Sequence, residues 1–144
     1  MIKPITGIKI YGDLSYRDKK CPKESVEIVT FFNRIRKLYP DSYGLLAYHP
    51  RNEGKRTYQQ TIKYKSEGMV TGTADIVIVG NPSFVCELKR RDPTLSEISD
   101  EQINYLLTAK KAGAFCCIAL GCDAAWEAFN EWRSINENKR KDIK

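Results

Sequence analysis

Apolar residues recur along the chain in two rhythms, and their alternation predicts the order of elements. Val26, Val29, Phe32 (with Phe31), Ile35 and Leu38 return every three or four positions, as on the core-facing stripe of a helix. Pro22 suits the start of that helix, Glu24 and Glu27 oppose its positive N-terminal dipole, and Tyr39-Pro40-Asp41 ends it. Residues 45–48 read as a short strand, followed by a polar loop over 49–54. Residues 55–68, with Tyr58, Ile62 and Lys65 on one side, predict a modestly amphipathic helix stopped by Gly68. Two short apolar runs, 76–79 and 84–86, flank Gly80-Asn81-Pro82-Ser83 and predict a β-hairpin. A helix follows from about Ser99 to Ala112, with Ile103, Leu106 and Leu107 inward and Gly113 as its C-cap. The continuous apolar run 114–120 predicts a buried strand. Asp123 caps a last helix that turns Trp126, Phe129 and either Trp132 or Arg133 to the core. Residues 1–21 read as an arm with one short strand at 8–11, and 136–144 as a frayed basic tail. Helices interleaved with strands make an α/β domain spanning 1–144, and the hairpin makes its sheet mixed.

Composition narrows the setting. Five cysteines without CxxC spacing and a single histidine, His49, argue against zinc. An odd number of cysteines, three of them inside apolar runs, suits a reducing cytoplasm. No apolar run approaches a membrane span, and the first residues lack the apolar block of a signal peptide. The formal charge is +6, and it is uneven. Arg51, Lys55, Arg56, Lys63 and Lys65 precede the hairpin and Lys89-Arg90-Arg91 ends it. Such a field favours a polyanionic partner, with ordinary solubilising charge as the alternative.

Three charged residues sit on the otherwise apolar hairpin. Asp75 opens its first strand; Glu87 and Lys89, two apart and so on one face, close the second. Such groups are costly to bury unless they pair or hold a metal, although charged strand ends also occur as solvated edges. Register decides whether they meet. A symmetric four-residue turn over 80–83 pairs Val79 with Phe84 and turns Asp75 away from Glu87 and Lys89. Convergence requires an odd number of loop residues or a β-bulge.

An aspartate opening one strand and Glu87-Leu88-Lys89 ending the next resembles the PD-(D/E)xK nuclease superfamily. The flanks narrow the resemblance: His49-Pro50-Arg51-Asn52-Glu53-Gly54, Glu67-Gly68, Gly72-Thr73-Ala74-Asp75 and Gln102 are similar to the VRR-NUC (virus-type replication-repair nuclease) branch. The match spans roughly residues 24–120, with Ala74 where many members carry proline. It implies a restriction-endonuclease-like core, a mixed β-sheet flanked by α-helices. It also implies a metal-dependent DNA endonuclease acting on branched or structured DNA, as Holliday-junction resolvases do, and a homodimer. A virus- or phage-encoded origin is compatible with it.

The residues suit that chemistry. Asp75, Glu87 and the Leu88 carbonyl can hold Mg²⁺ or Mn²⁺, an ion that takes few carboxylates and keeps its waters. The helix glutamate for a second ion is Glu24 or Glu27. Lys89 can orient the attacking water or stabilise developing negative charge. Gln102 has two readings: folding back on Ser99 in a capping box, S-x-x-Q, or reaching the active site as the resemblance implies. Arg51, Lys55 and Arg56 are candidates for gripping phosphate, with Asn52, Arg90 and Arg91 beside them and His49 as a structural or phosphate contact. Two further functions compete. One is a nucleic-acid-binding or inhibitory protein without catalysis on the same fold, which the intact Asp75, Glu87 and Lys89 oppose. The other is a restriction-type enzyme, for which 144 residues leave no specificity domain.

Overall fold

A computed structural model describes residues 1–50 and 55–142. Four strands form one mixed sheet in the order β1-β4-β3-β2: β1 Lys9–Tyr11, β2 Ile76–Ile78, β3 Phe84–Lys89 and β4 Phe115–Leu120. β4 runs parallel to both β1 and β3, while β2 and β3 are antiparallel. Among the described residues five α-helices accompany them, α1 Glu24–Leu38, α2 Tyr43–Leu46, α3 Tyr58–Ser66, α4 Asp100–Lys111 and α5 Cys122–Asp142, with a 3-10 turn at Pro93–Leu95. Alternation along the strands divides the interior. Phe84, Cys86 and Leu88 join Phe31, Ile35, Phe129 and Trp132 on the face covered by α1 and α5. Val85 and Ile118 meet Leu106 of α4 on the other. Among the described residues, no helix is long and apolar enough to cross a membrane.

The hairpin takes the odd register. Ile78 pairs with Phe84 and Ile76 with Cys86, leaving a five-residue loop over 79–83. Carried one residue further, Asp75 lies opposite Glu87, on the α4 face. The loop is held from outside. Trp132 Nε1 donates to the Pro82 carbonyl at 2.6 Å, and Asn81 N donates to Asn136 Oδ1 at 2.8 Å. Gly80 lies so close that a Cβ there would come within 2.6 Å of the Trp132 ring.

Five expectations need correction, the first being Leu107, expected inward on α4 but exposed beside buried Leu106. Residues 45–48 are not a strand: the buried positions are Tyr43 and Ala47, a helical spacing, so the chain forms α2 and only Tyr48 bridges to Val77. The buried stripe of α1 is Glu27, Phe31, Phe32 and Ile35, whereas Val26, Val29 and Leu38 are exposed. Glu27 can go inside because its carboxylate accepts from Cys122 N at the start of α5, where unpaired N–H groups favour an anion. Asp123 consequently does not cap α5; it lies in the first turn and pairs with Arg34 and Arg91. Residues 136–142 are helical rather than frayed: Asn136 is buried, and Lys139, Arg140 and Lys141 suit the negative end of the helix.

Asn136→Ala is expected to cost about 1–2 kcal/mol, since it removes the acceptor for the Asn81 N–H. Trp132→Ala, which also empties a fully buried site, is expected to cost about 3–5 kcal/mol. Urea denaturation measures both, and an unchanged midpoint for Asn136→Ala would mean that the loop holds its own register.

Candidate active site

The odd register brings two carboxylates together where water is nearly absent. Asp75 is 8% exposed and Glu87 2%. Each carboxyl acts on the protonation of the other. Asp75 Oδ2 accepts from Leu88 N at 2.9 Å. A strand residue sends its N–H and C=O to the same edge, so the Leu88 carbonyl also faces the Asp75 side, beyond the end of β2. Glu87 Oε1 accepts from Gln102 Nε2 at 3.0 Å and lies 3.6 Å from Lys89 Nζ. Glu87 Oε2 is buried without a hydrogen-bond partner.

Lys89 is 5% exposed, and its ammonium also donates to Gln102 Oε1 at 3.3 Å. The same oxygen accepts from Ser99 N at 2.9 Å, while Ser99 Oγ accepts from Gln102 N. Gln102 therefore completes the capping box of α4 and, with the same side chain, bridges Lys89 to Glu87. Gly72 makes this approach possible. Its φ is +81°, and a Cβ there would lie 2.6–2.9 Å from the Glu101–Gln102 backbone.

Glu24 and Glu27 are separated by where α1 turns them. Glu24 Oε1 accepts from Ser96 Oγ at 2.9 Å, and its negative charge is felt at Asp75. Glu27 points instead to the start of α5. His49 Nδ1 lies 2.7 Å from the Asp75 carbonyl oxygen, which can only accept, so Nδ1 carries the hydrogen. Arg90 is tied down, donating to the carbonyls of Cys21 and Pro22 just before α1. Arg91 turns to Asp123. Lys55 is exposed, and the Arg56 guanidinium sits 5.9 Å above the Tyr64 ring. Arg51 and Asn52 lie outside the described residues. Ser96, which accepts from Arg90 N and donates to Glu24, escaped the sequence reading because an isolated serine in a polar loop carries no periodic signal.

Burial, then the neighbouring Asp75 charge, push Glu87 up to about 10, against the pull of Lys89. Burial also raises Asp75, although Glu87 and the Leu88 N–H hold it back. Two carboxyls this close in a dry site cannot both be ionised unless a cation replaces the shared proton. Among the described residues, no group of three or more His, Cys, Asp or Glu side chains forms a ready-made cage. The donor set on offer is two carboxylates and a backbone carbonyl, all hard oxygens, with one orphaned carboxylate oxygen. That set fits a small divalent ion that keeps several waters.

No family model matches the chain, and no curated protein matches it. Among solved structures, a protein described as "VRR_NUC domain protein" shares the fold with a TM-score of 0.64. It is 17% identical, over 77% of this chain and 88% of that one. The chain thus carries the restriction-endonuclease-like fold of a VRR-NUC domain.

Raised carboxyl pKa values make the metal-free fold hold a proton that the unfolded chain releases. Stability from this source is present below the ordinary carboxylate range and is lost as pH rises toward 10. The metal-free protein should therefore melt at least about 3 °C lower at pH 8 than at pH 5, the shift expected for roughly 1 kcal/mol. Mg²⁺ or Mn²⁺ should recover the loss at pH 8 and do little at pH 5. Glu87→Gln should flatten both dependences in thermal melts; a wild-type response retained by that variant would place the titration elsewhere.

Proposed function

We propose that the chain is a Mg²⁺- or Mn²⁺-dependent endonuclease that hydrolyses phosphodiester bonds in branched or otherwise structured DNA. The observation that carries this reading is the opposed Asp75–Glu87 pair, buried with one oxygen orphaned and with Lys89 and Gln102 closing around it. Asp75, Glu87 and the Leu88 carbonyl would hold the ion, and Glu24, on the Asp75 side of α1, would support a second. When bound, the ion supplies an acidified water and neutralises charge on the phosphate. The protein's own contribution is positional. Lys89 is held by Glu87 and Gln102 on the same face as the carboxylates, so its ammonium can orient the nucleophile or meet charge developing on a phosphate oxygen. His49 fixes the Asp75 backbone from the opposite edge.

Beside this centre a groove is lined by Lys23, Glu24, Ser25, Ile28, Val29, His49 and Arg90, and in this reading it takes a strand of nucleic acid. The preference for structured DNA and a homodimer with one centre for each of two strands follow from the resemblance to VRR-NUC domains, and an intracellular setting from the cysteine content. Arg51, Asn52, Lys55 and Arg56 complete the phosphate contacts in this reading.

Purified protein should cleave a four-way junction or a flap in preference to linear duplex, and only with Mg²⁺ or Mn²⁺. Asp75→Ala or Glu87→Ala should abolish cleavage while leaving DNA binding intact or tighter, because each removes negative charge. Lys89→Ala should cost about 10²-fold or more. Near wild-type cleavage by either carboxylate variant would show the centre to be misassigned. Binding without cleavage of any substrate would favour a non-catalytic nucleic-acid-binding protein on this fold.

A further inference from the structure

α3 is built unlike the other helices. Its ends obey the local rules: Thr57 and Gln60 form a capping box, and Gly68, at φ +100°, lets the chain turn away after the last turn. Yet none of its residues is buried. At nine residues it is too short to be held by helix propensity alone. Tyr58, Ile62 and Lys65 fall at i, i+4 and i+7, one face of the helix. That face is turned to water, with Tyr58 82% exposed and Ile62 51%.

The charge around it is one-sided. Residues 55–68 hold four basic side chains (Lys55, Arg56, Lys63, Lys65) against Glu67, half of the chain's +6 in a tenth of its length. Both stems of the excursion that carries α3 clasp the candidate active site. On one side His49 donates to the Asp75 carbonyl; on the other Gly72 lies against the backbone of Gln102. An aromatic ring and an aliphatic side chain offered to solvent among lysines match a ligand that joins phosphates to flat apolar faces. That ligand is nucleic acid with unpaired bases.

We infer that α3 is a substrate-selecting element: Tyr58, with Ile62 beside it, stacks on an unpaired base of DNA bound at the Asp75–Glu87 centre, while Lys63 and Lys65 hold the flanking phosphates. Paired duplex hides the faces that Tyr58 needs, so the helix favours forks and flaps, which carry unpaired bases. This deepens the nuclease reading and rests on it for the place where the DNA lies.

Binding by the full chain in EDTA, followed by fluorescence anisotropy, separates the two. Tyr58→Ala should weaken binding to a flap about tenfold or more, change duplex binding by less than about twofold, and leave the circular-dichroism melt unaltered. Tyr58→Phe should restore the flap affinity. A 2-aminopurine placed at the unpaired position should be quenched by wild-type protein and by Tyr58→Phe but not by Tyr58→Ala. Lys63→Gln with Lys65→Gln should weaken every substrate and lower the salt slope by roughly 1.5–2. Equal loss on flap and duplex, or none on either, overturns the proposal even if the protein cleaves DNA. Tyr58-dependent selectivity in a protein that cleaves nothing sustains the proposal and overturns the nuclease reading. No binding to any DNA overturns both.

Discussion

Two carboxylates facing each other in a dry sheet end are the constraint around which this fold is arranged. Asp75 and Glu87 sit opposite one another only because the β2–β3 loop contains five residues instead of four. One residue fewer would rotate Asp75 to the other face of the sheet. Leaving a buried carboxylate unpaired costs several kcal/mol, so the arrangement persists only where something positive answers it. Lys89 answers part of it from within the same strand, at 3.6 Å from Glu87. The remainder is met by protonation, since burial holds both carboxyls above their ordinary range.

The local geometry is held by distant parts of the chain. α5 fixes the hairpin loop through Trp132 and Asn136, and its first N–H groups take up Glu27 of α1. Because α1 turns Glu27 that way, Glu24, one turn earlier, lies on the side that reaches Ser96 and Asp75. α4 begins where Gln102 needs to be, since the amide that caps the helix also bridges Lys89 and Glu87. Helix start and site assembly are one hydrogen-bond network here. The network couples Ser99, Gln102, Lys89 and Glu87, and leaves only Glu87 Oε2 among its side-chain atoms without a partner.

Much of this was legible because its signals are local. The hairpin, α4 and β4 announce themselves by short apolar runs, by S-x-x-Q and by Gly113. Asp75, Glu87 and Lys89 stand out as charges on apolar strands. Register was legible only as a condition, since loop parity depends on how α5 grips residues 80–82. The misreadings share a cause. Glu27 is buried by a partner 95 residues away, and periodicity cannot see that. Tyr43 is drawn inward by Tyr39, Phe129 and Trp132, which converts an apolar run into a turn of helix. Asn136 looked like part of a polar tail, although it continues the spacing of Ala125, Phe129 and Trp132 along α5 and could have been found that way.

Basic residues were easy to count and hard to interpret. Arg90 and Arg91, next to Lys89 in sequence, look like the natural anion contacts. The first spends its guanidinium on backbone carbonyls before α1, and the second turns to Asp123. Their task in this fold is to secure the chain entering α1 and the start of α5. A field that draws in a polyanion must therefore come from side chains that the fold leaves in water. One group of those lies in residues 55–68, a segment with sound helix-end chemistry and no core to join. Local rules explain why α3 is a helix. Its exposed face is what those rules leave unburied.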